Sequence, residues 1–580
     1  MSSAYVVAIV PERGAAIVDV ARAEAGRWIG WPEAVDEIRH IELDERPRWV
    51  WWPQETPRLL VHLGIRPARC WDLGAVHRML VGGWRTSPPA IWAACHDLDP
   101  ATMPRPAGVP DLFSDHDHDV DADDPIDRSG HLSADWSAGS WMGVPQRAIR
   151  WGQLAAECFT AQRTRLGQLA DPITAVATAH SESAAESLCA ELEHDGLPID
   201  VAVAESLIAA FIGPRPADAL EAANLAAARD EVVLRHIPPD QRLDLRNPAN
   251  VKALLRRVGI EVSDTRAWRL EEMRDQHPFV DDLLTWRKAE RVSTTFGYTW
   301  LDANVGSDGR LRGEWSASDG AAGRMTATAG LHNMPADLRP AIGAEPGFVF
   351  VRADLGQIEP RILAAVSGDA ALAAATQEAD MYAPVAARLG VERDIAKVAV
   401  LGAMYGQTTG RGAEALHGLE TNYPVAMSYL SAAARAAEGG NDLRTRGGRL
   451  VRMGGSGQDG PDAVRSDSEG RSRAAARGRY GRNAMVQGAA AEFFKTWAAV
   501  VRARLALLDD HAMIVLCLHD ELVLHVPIGR GAEVGRGLED WLQETAFRWM
   551  AARRDSGSSK IPPVRFVADV SVIHRWSDAK

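Results

Sequence analysis

The chain has 580 residues, more than one hydrophobic core usually organises, so two to four domains are expected. Hydrophobic residues at 46% and charged residues at 24% are ordinary for a globular protein, and no window approaches twenty uninterrupted apolar residues, which argues for a cytoplasmic protein without a membrane span. A formal net charge of −14 disfavours a nucleic-acid partner overall, yet acid gathers between Asp97 and Asp127 while ten arginines fall between Arg444 and Arg482, so local field and global charge oppose each other.

In chain order, Tyr5 to about Ala170 alternates short apolar runs with helical stretches and reads as an α/β domain. Within it, Asp97 to about Ser140 reads as a solvated acidic loop; Asp115-His116-Asp117-His118-Asp119 has the chemistry of a cation site, but a flexible insertion explains it better. Thr174 to Trp300 is predominantly helical, with amphipathic patterns in SESAAESLCAELEHDG and HPFVDDLLTWRKAERVSTTF. Arg287 and Arg291 form a basic pair on the latter. The region from Leu301 to Lys580 mixes strands and helices. The five cysteines are widely spaced and lack a CxxC pair, so reduced core thiols are expected.

Two acidic sites stand out in the last region. Phe348 to Ala353 reads as a buried strand and Gln357 onward as a helix, which leaves Asp354 where a side chain can leave the core. Met513–Leu518 and Leu522–Val526 read as strands joined around His519-Asp520-Glu521. Carboxylates at two strand ends suit a pair of Mg²⁺ ions in phosphoryl transfer. Between them, Arg393, Lys397, Leu401 and Tyr405 recur every four residues along one helical stripe, a pattern that could hold a triphosphate; an ordinary amphipathic helix also accounts for it. Arg479, Asn483 and Gln487 form a second stripe able to contact phosphate and base edges.

Taken in order, GRMTATAGLHNMP, DLGQIEPRILAAVSGD, RDIAKVAVLGAMYG and LHDELVLHVP give the stretch from about Ser181 to Lys580 a resemblance to family A (DNA polymerase I-like) DNA polymerases. The resemblance implies an α/β and α+β multidomain fold. A ribonuclease H-like, exonuclease-type domain would span 1–175, followed by a right hand with a thumb at 176–300, a palm at 301–375 and 485–580, and fingers at 376–484. It implies that Asp354, Leu355 and Asp520 hold two Mg²⁺ ions (with Mn²⁺ as a substitute), that Glu521 supports them, and that Lys397 donates a proton to pyrophosphate. Gln357, Glu359, Tyr382, Arg393, Lys397, Leu401 and Tyr405 would surround the nucleotide, with Glu359 as the gate against a ribose 2′-OH. Arg324, Asn333, Arg479, Asn483, Gln487 and His519 would track the primer-template, and Arg287 and Arg291 would grip the duplex.

The departures matter too. Leu355-Gly356 stands where the family has Tyr-Ser, Pro360 follows the gate, Tyr382 replaces a histidine, and Leu401 replaces an aromatic residue. The N-terminal resemblance is weaker. Its first strand, VVAIVPERG, lacks the acidic pair, and Glu157-Cys158 stands where a late aspartate is sought, so Asp72 alone cannot assemble a two-metal exonuclease site. The expectation is a monomeric, nucleoid-associated enzyme that extends primer-template DNA with dNTPs in repair or gap filling. It would lack proofreading and leave 5′-nuclease work to a separate protein. The rivals are a non-catalytic DNA-binding protein on the same fold and a 3′→5′ exonuclease acting through the N-terminal domain.

Overall fold

Val6 to Val10 is an unbroken apolar run, and such a run suits a strand covered on both faces. It forms β1 (Ala4–Val10), the centre of a five-stranded sheet with β2 (Gly14–Asp19), β3 (Arg27–Gly30), β4 (Arg48–Trp51) and β5 (Arg69–Asp72) in the order β3-β2-β1-β4-β5. The first three strands form an antiparallel meander, whereas β4 runs parallel to both β1 and β5. Alternate residues go to opposite faces: Val6, Ala8, Val50 and Trp71 join one cluster, while Val7, Ile9, Trp49 and Trp51 join another. The helix Pro145–Gly167 packs its Trp151, Leu154 and Phe159 into the first of these.

The computed structural model describes residues 3–53, 55–104, 124–406, 413–454, 467–550 and 563–579. The motif Asp115–Asp119 and Arg465 lie outside these. The chain divides into two compact units: Met1–Asp195, Trp315–Thr326 and Val351–Val572 form the first, and Gly196–Glu314, Ala327–Phe350 and Ile573–Lys580 the second. The second unit is largely helical, with Val233, Leu254, Phe279 and Leu283 in its core.

The expected domain boundary at 175/176 falls inside a continuous helix, Pro172–Asp195, which belongs entirely to the first unit. Its buried polar residues explain why. Glu182 pairs with Lys495 and Arg449 at 2.5 Å each, and Glu191 pairs with Arg502 at 2.5 Å. Lys495 and Arg502 lie on the long helix Asp467–Leu508. Burial alone would raise the Glu182 carboxyl, but Arg449 and Lys495 more than offset it and hold it at about 2. Burial lowers the Lys495 ammonium to about 8 in spite of Glu182. Nearby, Glu492 takes hydrogen bonds from the Thr445 hydroxyl and from Gly447 N, the latter at 3.0 Å.

The ladder Leu443–Arg444 with Leu450–Val451 reaches the N-terminal sheet domain. Arg444 Nη2 donates to Leu80 O at 3.0 Å and Arg452 Nε to Val81 O at 2.7 Å, at the C-terminal end of the helix Leu73–Val81. Carbonyls there have no intrahelical donor, so cations satisfy both their hydrogen bonding and the helix dipole. Arg502 adds a bond to Pro67 O at 3.0 Å.

A four-stranded sheet positions the acidic sites. Its order is Met513–Leu518, Glu521–Pro527, Phe348–Leu355, Ala568–Ile573. Strand pairing continues to Leu518↔Glu521, so the hairpin turn is the two residues His519-Asp520, and Glu521 already belongs to the second strand. The Phe348–Leu355 strand likewise runs past Asp354.

Removing Glu182 would strand two buried cations. Glu182→Ala is expected to destabilise the first unit by about 3–5 kcal/mol, read as an earlier guanidinium unfolding transition.

Candidate active site

Strand geometry brings the two acids together. Leu355 N donates to Asp520 O at 2.8 Å, which fastens the end of the Phe348–Leu355 strand to the hairpin tip and sets Asp354 beside Asp520. The Leu355 side chain is buried and carries no donor atom, so the residue can offer the site only its backbone carbonyl. Burial and then the Asp520 charge push the Asp354 carboxyl up to about 6, against the pull of Arg352. Burial and Glu521 also raise Asp520.

Alternation along the strand carries Arg352 to the same face as Asp354. Arg352 Nη2 donates to Asp354 Oδ2 at 2.8 Å, its Nε lies 3.2 Å from Glu521 Oε1, and its Nη1 lies 3.5 Å from Asp569 Oδ2. Sequence reasoning missed Arg352 and Asp569. The period of two was the available signal for the former; for the latter, more than two hundred residues downstream, there was none.

Among the described residues no group of three or more His, Cys, Asp or Glu side chains is gathered so as to hold a metal ion alone. Two carboxylates and a backbone carbonyl nevertheless fit Mg²⁺, which commonly takes one or two carboxylates and completes its shell with water and substrate phosphate. The elevation of both Asp354 and Asp520 is what a nearby divalent cation would relieve.

Beside the acids lies a cavity lined by Arg324, Gln357, Glu359, Pro360, Tyr382, Leu401, His519 and Asp520 among others. Glu359 opens the helix Ile358–Ser367, and both of its oxygens are engaged: Arg324 Nη2 donates to one at 2.8 Å and the Tyr405 hydroxyl to the other at 2.7 Å. Gln487 hydrogen-bonds the Tyr405 side chain. Gln357 sits in the left-handed region at φ 54°, turning the chain from strand into helix. Its amide donates to Asp380 Oδ1 at 2.6 Å and accepts from Met381 N at 2.9 Å. Asp380, which sequence reasoning also missed, takes Arg393 Nε at 2.6 Å on its other oxygen.

Arg393, Lys397, Leu401 and Tyr405 follow one another along the helix Arg393–Tyr405, as the spacing predicts. Lys397 is exposed and Leu401 half-buried. Burial, with Glu359 next, pushes the Tyr382 phenol up to about 12. The helix ends at Gly406, φ 69°, where a Cβ would come within 2.8 Å of Arg479 Cγ. Asn483 is half-buried on the long helix, with its side-chain oxygen lacking a protein partner. At the hairpin tip, partial burial and Arg324 hold His519 below its ordinary value.

The other three expected DNA contacts belong to the second unit. Arg291 Nη2 donates to Asn333 O at 2.5 Å, and the Arg287 guanidinium donates to Thr265 O. Both cations thus have backbone partners in this state.

Asp72, the acid weighed above for an exonuclease site, serves the fold. It caps the helix Leu73–Val81 through Ala75 N at 2.8 Å and takes the Trp51 indole N–H at 2.8 Å. Burial raises its carboxyl. Glu157 pairs with Arg150 at 3.2 Å, and Cys158 is buried in the core.

The family model for DNA polymerase family A matches residues 245–552. DNA polymerase I of Chloroflexus aurantiacus is 30% identical over 302 residues, which cover 47% of this chain and 31% of that protein. The thermostable DNA polymerase I of Thermus thermophilus is 31% identical over 299 residues, 47% of this chain and 34% of that protein. The chain thus matches about a third of the length of these relatives. Among solved structures, the POL domain of Pol1 from M. smegmatis in complex with DNA primer-template and dNTP superposes with a TM-score of 0.66 at 21% identity, covering 100% of this chain and 96% of that one.

The raised Asp354 pKa has a stability signature. The folded protein holds this proton up to about pH 6 and the unfolded chain only to about 4, so metal-free stability falls as pH rises through that window. Asp354→Asn is expected to flatten that fall and to raise the melting temperature in EDTA at pH 8; an unchanged profile would contradict the geometry.

Proposed function

Because the chain belongs to DNA polymerase family A, we propose that it is a template-directed DNA polymerase. In this reading the primer 3′-OH attacks the α-phosphate of a dNTP, the bond from that phosphorus to the bridging oxygen breaks to release pyrophosphate, and the hydroxyl proton passes to water. The observation that carries it is the backbone bond from Leu355 to Asp520, which sets two carboxylates of raised pKa beside a cavity bearing Glu359 and Leu401. Asp354, Asp520 and the Leu355 carbonyl would hold two Mg²⁺ ions, whose chemistry is to stabilise the attacking and leaving oxygens.

The rest is positioning by the chain's own side chains. Lys397, exposed on its helix, takes the triphosphate and returns a proton to pyrophosphate. Arg393 joins it after exchanging Asp380 for phosphate. Glu359, pinned by Arg324 and Tyr405, crowds a ribose 2′-OH. Tyr405 occupies the templating side until a nucleotide enters. Arg324, Asn333, Arg479, Asn483, Gln487 and His519 follow the primer-template, and Arg287 and Arg291 reach the duplex backbone by exchanging carbonyl partners for phosphates.

We assign the thumb to the helical second unit, and the palm and fingers to the first. The strand order β3-β2-β1-β4-β5, with its antiparallel meander and two parallel strands, supports a ribonuclease H-like ancestry for the N-terminal domain. Asp72 supports the absence of proofreading, because its carboxylate is committed to a helix cap and an indole. A role in repair or gap filling, as a monomer working beside a separate 5′-nuclease, fits this set of activities.

Primer extension on primed and gapped templates tests the reading. The parent chain should extend with dNTPs and leave unextended 3′ ends undegraded, while Asp520→Ala should lose about 10²–10³-fold or more of extension with the fold retained. Extension that survives the substitution would refute the site. Leu401→Phe should lower the KM for dNTP by adding an aromatic face to the cavity, and steady-state kinetics identical to the parent would remove Leu401 from the nucleotide site.

A further inference from the structure

The Phe348–Leu355 strand delivers a cation into the acid cluster itself. Arg352 has a side chain only 11% exposed, and carboxylates from three strands converge on it: Asp354 at 2.8 Å, Glu521 at 3.2 Å and Asp569 at 3.5 Å. Glu521 is slightly more buried, with 9% of its side chain exposed, whereas Asp569 is 72% exposed. The guanidinium therefore works mainly on the first two. It covers Asp354 Oδ2, one of the oxygens that a divalent cation would use. A lone pair donated to an N–H is not simultaneously available to a metal in the same direction.

We propose that Arg352 is a built-in counter-cation of the acidic site: it holds Asp354 and Glu521 in place when no metal is bound, and it competes with the metal for Asp354. The inference rests on the reading of Asp354 and Asp520 as metal-holding carboxylates. The two consequences have opposite signs. Losing the guanidinium removes the tie between crowded like charges, which loosens the metal-free site. It also frees Asp354 Oδ2 and deepens the local negative potential, which tightens metal binding. A residue that merely packed the sheet would lower stability without tightening the metal. Arg352 is thus a positioning residue, acting through Asp354 and Glu521.

The test uses the full chain and Mn²⁺ as the probe, with free Mn²⁺ followed by electron paramagnetic resonance and Asp520→Ala as the site control. Arg352→Gln is expected to bind Mn²⁺ about tenfold more tightly than the parent. Its melting temperature should fall in EDTA and recover in excess Mg²⁺, so the gap between the two conditions widens. Arg352→Lys, which keeps the charge but not the planar fork, should lie between the two and decides the matter if the Gln variant does not fold. Mn²⁺ affinity equal to the parent's, or weaker, overturns the proposal while leaving the metal site standing. A parent chain that binds no Mn²⁺, or binds it undiminished in Asp520→Ala, overturns the metal site and this inference with it.

Discussion

One backbone hydrogen bond, from Leu355 N to Asp520 O, holds the acidic site together. Two carboxylates brought this close repel each other, and their own electrostatics would part them. What keeps them adjacent is sheet pairing, which does not depend on their charge state, while the Arg352 guanidinium bonds Asp354 and the neighbouring Glu521. Burial first, and neighbouring negative charge second, appear in the raised pKa values of both acids. The fold thus maintains a locally unfavourable charge distribution that a divalent cation can relieve, a frequent condition at functional sites.

The neighbouring cavity follows the same pattern on a smaller scale. Glu359, Asp380 and Gln357 each have their polar atoms engaged, so side chains facing the cavity are fixed by partners rather than by packing alone. Fixed dipoles and charges need little rearrangement at the moment of reaction. Arg393 is the exception, since its ion pair with Asp380 lies at the surface, where such a pair contributes little.

Much of this was legible in the sequence, for identifiable reasons. The strand before Asp354, the hairpin at Asp520 and the Arg393–Tyr405 stripe are local patterns, written in periods of two and 3.6. Glu521 joined its strand rather than the turn because register with Leu518 is set by pairing, which a single strand does not display. The boundary expected near residue 175 falls inside the helix Pro172–Asp195, which looks like an ordinary amphipathic helix until Lys495, Arg449 and Arg502 are known to meet its acids. Asp569 and Asp380 reach the site through tertiary placement alone. Asp72 shows the converse hazard, an aspartate that invites a chemical reading and caps a helix.

The arginines that reach from the Leu443–Val451 ladder and the long helix to the carbonyls of Leu80, Val81 and Pro67 give the N-terminal domain two unlike sides. Its sheet carries no assembled acid cluster among the described residues, yet the turns and helix end on its other side complete hydrogen bonds for the rest of the first unit. Backbone geometry is constrained where the arginines land, because a displaced carbonyl would leave a half-buried cation without its partner. The N-terminal domain therefore serves its neighbour as a wall, whatever else its surface does.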